Sequence, residues 1–164
     1  MVNRFMSTII IGMGNAVRRD DGVGLRVARE LRLLLAGDTR VATAELHCGG
    51  MQLMETMVGY DRAIVIDAML DGAIPGTVRA FDPEELPNTR TTNSTHDGSL
   101  QTALEFGRAI GLRVPGRIRI WAVEAEDVET LGETLTPPVE RAVPLVVRDV
   151  MRELGTERQA ERSE

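Results

Sequence analysis

Ser7-Thr8-Ile9-Ile10-Ile11-Gly12-Met13-Gly14-Asn15, completed by Asp20-Asp21-Gly22-Val23-Gly24, is the stretch on which the fold turns. The run 7–11 suits a strand covered on both faces, with no polar side of its own. Gly12-Met13-Gly14-Asn15 then signals a turn. A helix is expected over 22–35, with Val23, Val27, Ala28, Leu31 and Leu34 at helical spacing and Gly37 just past its end. A buried strand, a glycine turn and an amphipathic helix in that order open an α/β unit.

The pattern repeats downstream. A second strand is expected at 41–46, a short helix at 51–58 after Cys48-Gly49-Gly50, and a third strand at 63–66 closed by Asp67. Residues 68–75 are too few to hold a crossover helix, so the fourth strand, 77–81, should run antiparallel. The polar stretch 82–94, with Pro83 and Pro87, reads as a long surface loop, a kind often functional. A helix follows at 99–110, with Leu100, Ala103, Leu104 and Phe106 as its buried face. The last strand is 117–123, with Ile118, Ile120 and Ala122 alternating against Arg117, Arg119 and Trp121. The last helix spans 138–154, opened by Pro138 and kinked or split at Pro144. The fold class is therefore α/β, with a mainly parallel sheet covered on both faces. Residues 1–154 form one domain, and 155–164 form a charged, frayed tail.

Composition narrows the function. A chain of 164 residues with 43% hydrophobic content can bury an adequate core without staples. The single cysteine, Cys48, excludes an internal disulfide framework and a CxxC metal knuckle, which fits a reducing compartment. No apolar run approaches the roughly 20 residues needed to cross a bilayer, and no signal peptide is evident, so a cytoplasmic protein is expected. Net charge is −6 and aromatic content only 3%, so there is neither basic patch nor stacking platform for nucleic acid. All the basic residues are arginine, a bias with no functional account.

Ligands of open α/β sheets sit outside the carboxyl ends of the strands. Asp20 and Asp21 fall there after the first strand, Asp67 after the third, and His96 in the loop beyond the fourth. An imidazole with two carboxylates suits a first-row divalent metal with open positions. Each has a plainer role open to it: Asp20 as a helix cap, Asp67 as a strand-closing acceptor, His96 as a surface loop residue. Gly12-x-Gly14 also invites a dinucleotide reading. Val17 stands where its third glycine belongs, and two carboxylates at the helix start would repel a pyrophosphate. There is no GxSxG, HExxH or GxxxxGK[ST] motif. Cys48 reads best as a small buried residue.

These residues resemble the nickel–iron hydrogenase maturation proteases. The opening motif is similar to Gly12-Met13-Gly14-Asn15 with Asp20-Asp21-Gly22-Val23-Gly24. The second is similar to Asp61-Arg62-Ala63-Ile64-Val65-Ile66-Asp67-Ala68, followed by Pro75-Gly76-Thr77-Val78. The third is similar to Ser94-Thr95-His96-Asp97 with Leu100, and the last to Leu135-Thr136-Pro137-Pro138-Val139. Five patches in order, covering nearly the whole chain, make the resemblance far more specific than any one of them.

The resemblance implies a three-layer α/β/α sandwich on a five-stranded mixed sheet with one antiparallel strand. It implies a cytoplasmic endopeptidase, working as a monomer, that removes the C-terminal extension of a hydrogenase large-subunit precursor. The metal ligands would be Asp21, Asp67 and His96, and the metal would be the precursor's own nickel, with zinc or another divalent ion standing in for it in vitro. Water would be activated either by the metal or by a carboxylate, Asp21 or Asp67, so both are candidate catalytic groups. A binding-only chaperone for the loaded large subunit and a nucleotide-binding domain are the competing functions. Two stretches depart from the family pattern. The loop Leu46-His47-Cys48-Gly49-Gly50-Met51 replaces an acidic glycine- and threonine-containing one, which leaves the partner hydrogenase and any role of His47 open. The stretch 122–131 lacks the usual prolines and glycines.

Overall fold

The computed structural model describes residues 6–85 and 99–161, apart from the side chains of 156–161. The strands are β1 Thr8–Met13, β2 Val41–Leu46, β3 Arg62–Met69, β4 Val78–Phe81 and β5 Arg117–Glu124. The helices are α1 Val23–Leu34, α2 Gly50–Met57, α3 Leu100–Ala109 and α4 Pro137–Glu161. The sheet order is β2-β1-β3-β5-β4, parallel except for β4, which pairs antiparallel with β5 at the edge. The short connection 70–77 forces that reversal.

Strand alternation sorts the core into two layers. Ile10, Ile64, Ile66 and Val123 face Val23, Val27 and Leu31 of α1 and Val139, Val143 and Val146 of α4. Ile9, Ile11, Met13, Ala63 and Val65 face Leu53, Met54 and Met57 of α2 and Leu100, Ala103 and Leu104 of α3. The molecule is thus the three-layer α/β/α sandwich on a five-stranded mixed sheet that was expected.

Several local expectations need correction. β3 does not stop before Asp67 but continues to Met69, so Asp67 sits inside the strand, in register with Ala122 of β5. Leu34 and Phe106 are exposed, and Leu35 and Gly107 are buried instead. In α3 the buried set 100, 103, 104 and 107 is one helical stripe, which residue 106 falls outside. Gly107 is there because α2 is close: a Cβ on it would lie 2.9 Å from the Met54 sulfur. α4 is one continuous helix through Pro144 and runs to Glu161. The proline removes one backbone donor, but Val139, Val143, Val146 and Val150 bury that helix's face along its length, which holds it together.

The order β2-β1-β3 makes the carboxyl ends of β1 and β3 a topological switch point, because the chain leaves β1 toward one side and β3 toward the other. Glycines bring α1 down onto it. A Cβ on Gly24 would lie 2.2 Å from the Ile66 carbonyl oxygen and 2.4 Å from that of Met13, and one on Gly12 would lie 2.3 Å from the Gly24 oxygen. All three neighbours are backbone atoms with no freedom to retreat. Gly24→Ala should therefore cost about 1–3 kcal/mol, read as a lowered urea midpoint at an unchanged slope.

Candidate active site

Asp21 belongs to a 3-10 turn, Arg19–Gly22, that leads into α1. It is 6% exposed and Asp67 is fully buried. The turn packs on β3, and α1 enters against the carbonyl of Ile66, the residue before Asp67. Two carboxylates from separate elements thus stand at one end of the sheet, at its switch point. Asp67 Oδ1 accepts the N–H of Ala68 at 2.8 Å. His96 lies outside the described residues. Among those that are described, no three His, Cys, Asp or Glu side chains are grouped as a metal site.

Gly14 is the hinge of this arrangement. Its φ of +136° is in the range glycine favours, and a Cβ there would fall 1.8 Å from the Asp21 carbonyl oxygen. The Asn15 N–H bonds that same oxygen at 3.2 Å. Gly12 and Gly14 therefore serve close backbone packing, and the space a phosphate would need at Gly12 is filled by α1.

Asp20, for which a capping role was open, does not cap its own turn. It is fully buried and reaches across to the 125–136 loop. Its Oδ2 accepts the N–H groups of Glu126 and Asp127 at 2.9 Å each and the Thr136 hydroxyl at 2.8 Å, while Oδ1 accepts the Thr136 N–H at 2.7 Å. Nothing in the spacing of the Asp20-Asp21 doublet says which member does which, because the partners lie more than a hundred residues away. The same loop is fastened again through Arg19, whose φ is +40°. The Arg19 N–H bonds the Gly132 carbonyl at 2.7 Å, and its guanidinium meets Asp127 at 3.1 Å and the Thr134 carbonyl at 3.2 Å.

The other motifs meet around this point. A Cβ on Gly76, φ +84°, would lie 2.5 Å from the Pro138 carbonyl oxygen, so the Pro75-Gly76-Thr77 turn seats against the start of α4. Glu124, buried at the end of β5, accepts the N–H groups of Asp71 and Gly72 and shapes the β3–β4 loop.

The titration of Asp127 is displaced far. The backbone N–H of Thr130, then that of Glu129 and the Arg19 guanidinium, hold it down from 3.8 to about 2. A depressed carboxylate stabilises the fold above its unfolded value and loses that contribution as pH falls through the folded one. The stability difference between wild type and Asp127→Asn should therefore be constant above pH 3.8 and shrink between 3.8 and 2. Urea titrations across that window check it.

His47 follows β2 and is exposed, and its Nδ1 lies 2.8 Å from the Gly14 carbonyl oxygen. Cys48 is half-buried rather than buried, with its thiol hydrogen-bonded to the Gln52 side chain. A groove of about 630 Å³ opens beside the Asp21 turn between Ala16, Gly22, Arg26, Leu135 and Pro137. A second concavity, about 370 Å³, lies by Arg62, Arg117 and Glu153 at the amino ends of β3 and β5, away from both carboxylates. No helix among the described residues is long and apolar enough to cross a membrane.

The hydrogenase 2 maturation protease of Escherichia coli is 28% identical over 158 residues, 93% of this chain and 94% of its own. The hydrogenase expression/formation protein HupD of Rhizobium leguminosarum is 26% identical over 148 residues, 89% of this chain and 73% of its own. In fold, the chain is similar to the hydrogenase maturating endopeptidase HybD from E. coli, with a TM-score of 0.75 at 24% identity over 93% of this chain and 94% of that one. Residues 25–153 match the model of the hydrogenase maturation protease family. A match over that much of the sequence is decisive: the chain belongs to the hydrogenase maturation proteases, peptide-cleaving enzymes whose general task is processing the hydrogenase large subunit.

Proposed function

We propose that this chain removes the C-terminal extension of a large-subunit precursor that already carries nickel, and that Asp21, Asp67 and His96 recognise that nickel. The observation that carries the reading is the burial of two carboxylates from different elements at the switch point of the sheet. Buried carboxylates are costly, and a cation arriving at that edge would offset the cost. The donor set of two carboxylates and an imidazole suits a borderline first-row ion with positions left for the substrate's own ligands. Such a site is poor when empty and good when filled, so it would distinguish loaded from unloaded precursor. Zinc or another divalent ion would occupy it in vitro.

The groove lined by Ala16 and Gly22, on either side of Asp21 in sequence, is where the precursor's extension would lie. The protein would act as a cytoplasmic monomer docking transiently on the large subunit. The test is incubation with the precursor, with and without nickel, followed by mass spectrometry. A loss of the extension's mass only in the loaded sample is expected. Equal cleavage of the nickel-free precursor would remove the metal gate from the proposal.

A further inference from the structure

His47 is the histidine on the described part of this edge, and the function above leaves it unused. Among the described residues its ring is hydrogen-bonded through Nδ1 to the Gly14 carbonyl oxygen at 2.8 Å. A carbonyl oxygen only accepts, so Nδ1 is the nitrogen carrying the proton, and Nε2 is left with its lone pair. The ring is exposed, so Nε2 is open to solvent and substrate. Gly14 is also the residue against which the Asp21 backbone packs, so the imidazole and the Asp21 turn both contact one residue. Register explains the placement: Met13 pairs with Leu46, which sets His47 beside Gly14 at the carboxyl ends of β1 and β2.

Peptide hydrolysis needs a group that takes a proton from water and returns one to the leaving amine. Asp67 is fully buried, with one oxygen on the Ala68 N–H, and Asp21 is nearly so. A buried carboxylate engaged with a cation is a poor shuttle, whereas an exposed imidazole of fixed tautomer is suited to the task.

Resting on the peptidase reading, we propose that His47 carries the proton of the cleavage step. Nε2 takes one proton from water as the water oxygen bonds to the scissile carbonyl carbon. It then gives that proton to the amide nitrogen as the carbon–nitrogen bond breaks. The products are a carboxylic acid, which loses its remaining proton to solvent, and a free amine, and His47 returns to its starting form. The charged and titratable groups around the ring are Glu45 on β2, itself paired with Arg29 and Arg32 of α1, Cys48 next in sequence, and Asp21 across Gly14.

The experiment is steady-state cleavage of nickel-loaded precursor by wild type, His47→Ala and His47→Asn across pH, with melting temperatures alongside. Asparagine keeps an N–H donor for the Gly14 carbonyl, so that variant guards against a folding artefact. Both variants should lose roughly a hundredfold or more in kcat, a typical share for general acid–base catalysis, with KM within about twofold. An acid-side fall of kcat is expected in wild type and its absence in His47→Asn. Wild-type kcat in either variant, or a raised KM at unchanged kcat, overturns the proposal and makes His47 a docking or structural residue. Loaded precursor left intact by wild type itself overturns the peptidase reading, a result distinct from failure of the variants alone.

Discussion

Asp67→Asn should leave the fold standing while cutting processing of nickel-loaded precursor by roughly a hundredfold or more, the scale expected when a metal site loses a charged ligand. The substitution is nearly isosteric, and the amide oxygen still accepts the Ala68 N–H that Asp67 Oδ1 holds at 2.8 Å. What vanishes is one negative charge at a fully buried position in β3. The amide keeps the side chain's volume and an acceptor oxygen, so the melting temperature should stay close to that of wild type. Stability kept and activity lost is the signature of a group retained for chemistry. Processing within about twofold of wild type would refute the assignment of Asp67 to the nickel site. Titration of the purified variant with zinc gives a second readout, with binding weakened at least tenfold.

Asp20→Ala should do the reverse and strike stability first. Asp20 has no exposed surface and accepts hydrogen bonds from Glu126, Asp127 and Thr136, the last through both its N–H and its hydroxyl. Alanine leaves those donors facing an apolar methyl group, and their lost partner was charged. A cost of about 3–5 kcal/mol is expected, the range for breaking a buried charged interaction from one side. At roughly 2–4 °C per kcal/mol for a chain of this size, the melting temperature should drop by about 6–20 °C. Asp21→Asn, one residue on, should melt near wild type and fail to process. Calorimetry and the cleavage assay on the two variants separate the roles, and similar profiles for both would contradict the division made here.

Much of the architecture is legible in the residues because local physics dictates it. The isoleucine run Ile9-Ile10-Ile11 has no polar face to offer solvent, so its strand had to lie between two layers. The connection after β3 cannot hold a crossover helix, so β4 had to turn back. Where the reading slipped, a partner distant in sequence decided the outcome. Phe106 is apolar yet exposed because α3 meets α2 through Gly107 and not through a large side chain. α4 runs through Pro144 because the buried valine face supplies more than one missing backbone bond takes away.

The candidate site divides in the same way. Residue types and order along the chain were enough to bring Asp21 and Asp67 to one end of the sheet, because in a parallel α/β unit every strand delivers its loop to the same edge. The family, too, was readable, since its motifs are the glycines and aspartates which that edge requires. Which aspartate of the doublet is a structural pin, where His47 points its ring, and what the glycines are for were settled only by the folded chain. Each depends on an atom brought from elsewhere: the Thr136 amide onto Asp20, the Gly14 carbonyl onto His47, the Ile66 carbonyl under Gly24. Hydrogen bonds and close contacts act over about 3 Å, and only tertiary folding carries residues distant in sequence into that range.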